Sequence, residues 1–205
     1  MGILNKYLGS ATPLNLRVAL EKCPVSNSEK YKAYIYKKYY GYVMAIVFRY
    51  MKHEMEAEEI SNESLVKIFN KLSSFSIHED DQVLEKTFKS WIGRIAVNTS
   101  IDALRVRKQV YMLDDLNGSD TLSFSVENES RLEYEDIISL IQELPDIQRS
   151  IFNLYEIEGY SHEEIGKQLQ IPESTSRTYL TRAKQKLRKL YASRINLENI
   201  QSWFV

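Results

Sequence analysis

Apolar residues recur along most of this 205-residue chain at intervals of three and four, the spacing that lines one face of an α-helix. Ser28 is the predicted N-cap of a long helix reaching about Tyr50, with Tyr31, Ile35, Tyr39, Tyr42, Ile46 and Tyr50 on one broad face. A second helix is predicted from about Glu56 to Leu72, burying Ile60, Leu65, Ile68 and Leu72. A third is predicted from Thr87 to Lys108. On its wheel Phe88, Ile92, Ile95, Ala96, Thr99 and Ala103 share one side, Arg94, Asn98, Arg105 and Lys108 share the other, and Trp91 falls between. No alternating segment of useful length is present, so the predicted fold class is all-α.

The stretch from Tyr111 to Ser130 reads YMLDDLNGSDTLSFSVENES, with the turn signal Asn117-Gly118 amid Ser, Asp and Asn. It predicts a flexible linker, residues 111–130, between a helical domain at 29–110 and a second at 131–192. Residues 1–28 are expected to form a loosely attached extension. Residues 193–205 are expected to form a tail in which Trp203-Phe204 packs on something.

Seven Gly and four Pro are too few for a turn-dense all-β or low-complexity chain, and 43% hydrophobic against 27% charged residues suits a packed core. The net charge of -1 conceals two opposite segments. Glu54, Glu56, Glu58, Glu59 and Glu63 crowd ten residues without a base, whereas Arg177, Arg182, Lys184, Lys186, Arg188, Lys189 and Arg194 follow one another without an acid. Cys23 is the only cysteine, which excludes an intrachain disulfide and a Cys-pair metal site and suits a reducing cytoplasm. The apolar run from Val43 to Phe48 is far short of the ~20 residues of a membrane span, and the start, MGILNKYLGS, lacks the pattern of a secretory signal. The expected location is the cytoplasm, without membrane insertion.

Two segments carry candidate chemistry. Ser161 with Glu164 three residues on is a capping-box pattern opening a short helix, to which Ile165 and Leu169 give an apolar edge. The turn Gln170-Ile171-Pro172 leads to a further helix near Glu173 or Ser174. There Ser176, Leu180, Ala183 and Leu187 lie on one side and Ser174, Thr178, Thr181 and Gln185 on the other, flanked by Arg177 and Arg182. A polar strip between arginines on the second helix of a helix-turn-helix suits a major groove. The plain reading is a basic helical hairpin with a solvated surface. In the third predicted helix, arginines can hold phosphates, the Asn98 amide can read a base edge and Trp91 can stack on an open base. Here the plain reading is an ordinary amphipathic helix with a core Trp.

At these residues the sequence resembles the extracytoplasmic-function (ECF) sigma factors, small sigma factors of bacterial RNA polymerase with regions two and four only. Glu56-Ala57-Glu58-Glu59-Ile60 with Asn62-Glu63 resembles the acidic block of region two. Phe88-Lys89-Ser90-Trp91-Ile92 with Arg94-Ile95-Ala96, Asn98, Asp102 and Arg105 resembles its DNA-facing block. Leu144-Pro145-Asp146-Ile147-Gln148-Arg149, Glu158-Gly159-Tyr160-Ser161, Glu164-Ile165 and Thr175 to Leu187 resemble region four. Asn62 stands where Gln is frequent, Ser176 where the recognition helix often has an aliphatic core residue, and Val97 where a basic residue is frequent.

The resemblance implies a non-enzymatic initiation factor that directs core polymerase to specific promoters and assists melting. It implies that Glu59, Asn62 and Glu63 meet the β′ coiled-coil, and that Trp91, Arg94, Asn98 and Arg105 meet the –10 element and its melting junction. The loop from Ser73 to Lys86 would hold an extruded base, although its acids Glu79, Asp80, Asp81 and Glu85 oppose nucleic acid. Region four would contact the –35 element through Ser174, Thr175, Arg177, Thr178, Thr181 and Arg182, and the β-flap through outer apolar residues. An anti-sigma factor is a further expected partner. Asp114, Asp115, Asp120, Glu127 and Glu129 would let the linker thread a basic polymerase channel by imitating nucleic acid.

An enzyme is not expected, nor a cofactor or metal. His53, His78 and His162 are scattered, and His162-Glu163-Glu164-Ile165-Gly166 has glycine where a zinc motif needs its second histidine. Two alternatives remain at this stage. One is a stand-alone helix-turn-helix regulator with 29–110 as a sensing or dimerisation domain. The other is a helical interaction protein without a DNA role.

Overall fold

The long helices follow the apolar stripes. In a computed structural model that describes residues 14–26, 29–111 and 129–201, α2 spans Glu29–Phe48 and buries Ile35, Tyr39, Val43, Ile46 and Val47. The expected cap, Ser28, lies outside the described residues. α3 spans Glu54–Lys71, buries Ala57, Ile60, Ser61, Ser64, Leu65 and Ile68, and runs into a 3-10 turn at Leu72–Ser74. α4 spans Asp81–Tyr111. It starts earlier than its apolar stripe suggests because Asp80 caps it, its Oδ1 accepting from the backbone N–H groups of Gln82 at 2.8 Å and Val83 at 3.0 Å. The expected long loop from Ser73 to Lys86 is thereby reduced to residues 75–80 between the 3-10 turn and α4.

The expected loose extension at 1–28 is corrected in its second half. Leu16–Ser26 forms a helix, α1, and Leu16, Ala19, Leu20 and Cys23 are buried in the core. Arg17 fastens it to the start of α4. Its guanidinium donates to the carbonyls of His78 at 2.8 Å and Glu79 at 2.6 Å, and pairs with Asp81 at 2.6 Å. Phe88 centres an aromatic cluster in this first module, edge-on to Tyr39 at 5.0 Å and to Phe75 at 5.2 Å. Such pairs add about 0.5–1.5 kcal/mol each beyond the area they bury.

The second module comprises α5 (Glu129–Gln142), α6 (Asp146–Phe152), α7 (His162–Leu169) and α8 (Glu173–Gln201). α6 passes into a π turn at Asn153–Ile157. The capping box forms as expected: Ser161 Oγ accepts from the Glu164 N–H, and the Glu164 carboxylate accepts from the Ser161 N–H at 2.8 Å. α8 continues beyond residue 192, where the tail is expected to begin, as far as Gln201. Most of the linker, with Asp114, Asp115, Asp120 and Glu127, lies outside the described residues, as do Trp203 and Phe204. Every described element is helical, the all-α class that the spacing predicts, and no described helix is long and apolar enough to cross a membrane.

If α1 belongs to the core, Leu20→Ala should cost about 2–5 kcal/mol, the usual cost of emptying a buried leucine site. Urea unfolding followed by circular dichroism measures this. An unchanged midpoint would return α1 to the status of a loose attachment.

Candidate nucleic-acid interface

Burial of one stripe of α4 determines what the other presents. Phe88, Ile92, Ala96, Val97, Thr99, Ser100 and Ile101 are buried. Arg94 and Asn98 stand exposed one turn apart, and half-buried Arg105 continues their stripe, its guanidinium held by Asp102 three residues back. Trp91 is half-buried at the margin, its ring centroid 5.9 Å from Phe88 and 5.2 Å from Phe75. The indole therefore belongs to the core cluster and is only partly open to a ligand. Val97, where the resemblance favours a base, is buried.

Three of the four acids beside α4, Asp80, Asp81 and Glu85, are already engaged. Asp80 caps the helix, and these backbone hydrogen bonds hold its carboxyl below the ordinary range. Asp81 pairs with Arg17, and Glu85 meets Lys38 at 2.7 Å and Lys89 at 3.7 Å. Burial is the largest single influence and works against the Glu85 charge, but the Lys38 hydrogen bond, the neighbouring Tyr39 hydroxyl and the charges of Lys38 and Lys89 together outweigh it and hold the carboxyl below its usual range. The repulsion that the sequence suggests is therefore reduced at Asp81 and Glu85, whose charges are paired. Lys86, Lys89, Ser90 and Arg94 line a cleft of about 970 Å³ whose opposite wall is formed by residues 157–160 and Glu164.

On α3, Glu59, Asn62 and Glu63 are exposed together. Tyr36 donates its hydroxyl to Asn62 Oδ1 at 3.2 Å, and Glu63 pairs with Lys67 one turn on. Met55 and Val66 are exposed on the same helix at 84% and 57%, so the acidic surface has apolar neighbours.

In the second module α7, the turn at Gln170-Ile171-Pro172 and α8 make the helix-turn-helix. Gln170 closes α7 in the left-handed region, with φ of 53°. A Cβ on Gly166 would come within 2.9 Å of the Ile171 carbonyl oxygen. This position is glycine because the turn folds directly over it. Leu180 and Ala183 are buried and Leu187 half-buried. Ser174, Arg177, Thr178, Thr181 and Arg182 face solvent, and Thr175 is half-buried. Thr178 and Thr181 donate their hydroxyls to the carbonyls of Ser174 at 2.9 Å and Arg177 at 3.0 Å. Each keeps acceptor lone pairs and a methyl for an incoming base edge, a set that suits amino donors and a thymine methyl. Arg182 lies over the Tyr179 ring at 5.7 Å. The basic face is less bare than its sequence implies, because Arg177 pairs with Glu173 and Lys184 with Glu156 at 2.7 Å from the π turn.

Ser176 faces inward among the apolar residues, yet its hydroxyl is satisfied: Oγ lies 2.9 Å from Nδ1 of buried His162. The imidazole also stacks on Tyr155, with centroids 4.5 Å apart. Neither contact is visible in the sequence, where His162 falls only in a failed zinc motif. Sequence reasoning also misses Arg149, Asn153 and Glu158, which meet Arg49 and Tyr50 just beyond the end of α2. Arg149 donates to the Tyr50 carbonyl at 2.8 Å, Asn153 to the Arg49 carbonyl at 2.7 Å, and Arg49 pairs with Glu158 at 2.6 Å. Only the resemblance singles out the segments that contain Arg149 and Glu158.

These features define a two-module helical DNA-reading protein: a first module with a polar stripe on α4, and a helix-turn-helix tethered behind it. The first matches Sigma-70 region 2 over residues 35–110 and the second Sigma-70 region 4 over 134–187. Among curated relatives, ECF RNA polymerase sigma factor SigW of Bacillus subtilis (strain 168) is 30% identical over 159 residues, covering 72% of this chain and 81% of the relative. RNA polymerase sigma-H factor of Pseudomonas aeruginosa is 27% identical, covering 74% of this chain and 81% of the relative. Among solved structures, the sigma factor RpoE from Bartonella quintana, in complex with the anti-sigma factor NepR, is 18% identical with a TM-score of 0.49, covering 80% of this chain and 98% of that chain. The chain belongs to the ECF sigma factors of RNA polymerase. It directs core polymerase to promoters and takes part in transcription initiation. The region 2 match removes the alternative in which residues 29–110 form a sensing domain of a stand-alone regulator.

His162 gives a pH prediction. Burial, and then the charge of Arg177, push its pKa below the ordinary value. As pH falls through about 6.5 the unfolded chain takes up a proton that the native state resists, so stability is full above that pH and declines below it. Wild type should lose stability between about pH 7 and 5.5, and His162→Gln should show a flatter profile. Equal slopes in thermal unfolding across that window would exclude His162 as the cause.

Proposed function

We propose that the two polar stripes read the two promoter elements while α3 holds the polymerase. On α8, Arg177, Thr178, Thr181 and Arg182 contact base edges of the –35 element, and Ser174 and Thr175 contact the turn-proximal phosphates. On α4, Arg94, Asn98 and Arg105 contact the –10 element, with the Trp91 edge against the first opened base. Glu59, Asn62 and Glu63 dock on the β′ coiled-coil, and the outer apolar residues of region four meet the β-flap. The observation that carries this reading is the exposure of a polar stripe on each of two helices whose opposite stripes are locked in the core. Extruding a base costs a few kcal/mol, and the pairing of Asp81 with Arg17 and of Glu85 with Lys38 reduces the electrostatic objection to placing DNA there.

In this reading the protein works with core polymerase and promoter DNA in the cytoplasm, in a role without covalent catalysis. An anti-sigma factor is a further proposed partner, on family membership alone. The acidic linker as a mimic of nucleic acid in a polymerase channel rests on its charge.

Arg177→Ala should lower transcription from a –35-dependent promoter by about tenfold or more, since a good bidentate base contact is worth ~1–3 kcal/mol. Core binding, measured by fluorescence anisotropy, should survive. Lost core binding with intact promoter preference would refute that role.

The double variant Asn98→Ala, Arg105→Ala should damage open-complex formation, read by permanganate footprinting, more than initial binding at –35. Equal damage to both would make α4 a structural helix.

A further inference from the structure

We propose that Arg17 of α1 is a positioning residue for promoter opening: it holds the 75–80 loop in the shape that receives the base extruded beside α4. This role rests on the bipartite reading given above, in which this side of the first module meets the melting junction. Arg17 precedes the 35–110 segment that matches region 2.

Local structure fixes where the Arg17 side chain starts. Asn15 caps α1, its Oδ1 accepting from the Val18 N–H at 2.9 Å. Leu16, Ala19, Leu20 and Cys23 are buried, so α1 cannot turn about its axis without exposing them. Arg17 is left half-buried in the first turn. Its Nη2 donates to the carbonyls of His78 at 2.8 Å and Glu79 at 2.6 Å. Its Nε and Nη2 both donate to Asp81 Oδ1, at 2.9 Å and 2.6 Å. These partners lie 61 to 64 residues farther along the chain.

The loop is tied at both ends, and Arg17 grips it between them. Phe75 is held by the rings of Phe88 and Trp91, and Asp80 is spent on capping α4. Ser76, Ile77, His78 and Glu79 are exposed. His78 Nδ1 accepts locally from the Asp80 N–H at 3.2 Å. Among the described residues, the hydrogen bonds that reach residues 76–79 from another element all come from Arg17.

The carbonyl contacts matter more than the ion pair. The Asp81 side chain is 71% exposed, and an ion pair so placed contributes little. The bonds to His78 and Glu79 have a charged donor and act on the backbone itself. A loop ordered before DNA arrives does not have to be ordered during opening. Without Arg17 the two exposed carbonyls turn to water, so the module keeps its fold while the loop loses its shape. Lysine would keep the charge, but its single ammonium cannot reproduce a fork that spans two carbonyls and a carboxylate.

The test uses the full-length protein with core polymerase and one –35-dependent promoter in two forms, fully paired or mismatched across the melting junction. Opening of the paired form is timed by permanganate footprinting, and transcription is measured from both. Arg17→Ala and Arg17→Lys should each slow opening of the paired promoter by about tenfold or more, the scale of a lost hydrogen bond to a charged group. The defect should largely disappear on the mismatched form, where the strands are apart whether or not the loop captures a base. Asp81→Asn keeps the carbonyl grip and should open within about twofold of wild type. Core affinity and binding at –35 should not change, and circular dichroism checks that each variant keeps its helices. Equal defects on both templates would make Arg17 a general prop of the fold and overturn the positioning role. An Arg17→Lys variant that opens at the wild-type rate would make charge sufficient and overturn it too. The double variant Asn98→Ala, Arg105→Ala is run beside them. If it opens slowly while Arg17→Ala opens normally, the role of Arg17 falls and the bipartite reading stands. If the double variant opens normally, the reading falls and takes this role with it.

Discussion

Burial of one stripe on α4 and on α8 fixes where the opposite stripe points. Phe88, Ile92, Ala96 and Ile101 lock α4 into the first module. Leu180 and Ala183 lock α8 into the second. Apolar burial is non-directional, but helical spacing makes it rotationally specific: turning α4 by one residue would move these side chains by about 100° and expose them. Arg94 and Asn98, like Thr178 and Thr181, are therefore presented on rigid supports. A reader that must discriminate base edges needs this, because one bidentate contact is worth only ~1–3 kcal/mol and is lost when the group wanders.

The parts of this arrangement that depend on local periodicity were legible in the sequence. The stripes of α2, α3 and α4, the capping box at Ser161 and Glu164, and the turn at Gln170-Ile171-Pro172 all follow from short-range rules. The parts that depend on partners far along the chain were not. α1 carries the right spacing in Leu16, Ala19, Leu20 and Cys23, but it is short and contains Pro24. Its attachment through Arg17 to residues 78–81 has no local signature. Ser176 reads as a defect in an apolar stripe until His162 is found beside it. Glu156 and Glu173 temper the basic run that looked unopposed. Arg149 is the clearest case. It sits on an unremarkable motif, yet its guanidinium is buried and serves carbonyls of both modules.

Family membership and residue chemistry meet in the division of labour between the modules. α3 combines acids with exposed Met55 and Val66, a composition suited to a basic partner helix with an apolar seam. α4 and α8 carry neutral hydrogen-bonding groups among arginines, a composition suited to nucleic acid. Neither reading stripe is extensive, and the net charge of -1 offers no general attraction to duplex DNA. In the proposed reading, selective binding draws on both modules engaged on one template, with the polymerase as their mounting.

The most direct test of this account is reconstituted transcription. Purified protein is mixed with core polymerase and a panel of promoter templates, and start sites are mapped in reactions with and without each component. The account predicts selective start sites only when the protein and core are present together, with little selective duplex binding by the protein alone. Tight sequence-specific duplex binding without core, together with no selective start sites in its presence, would contradict it.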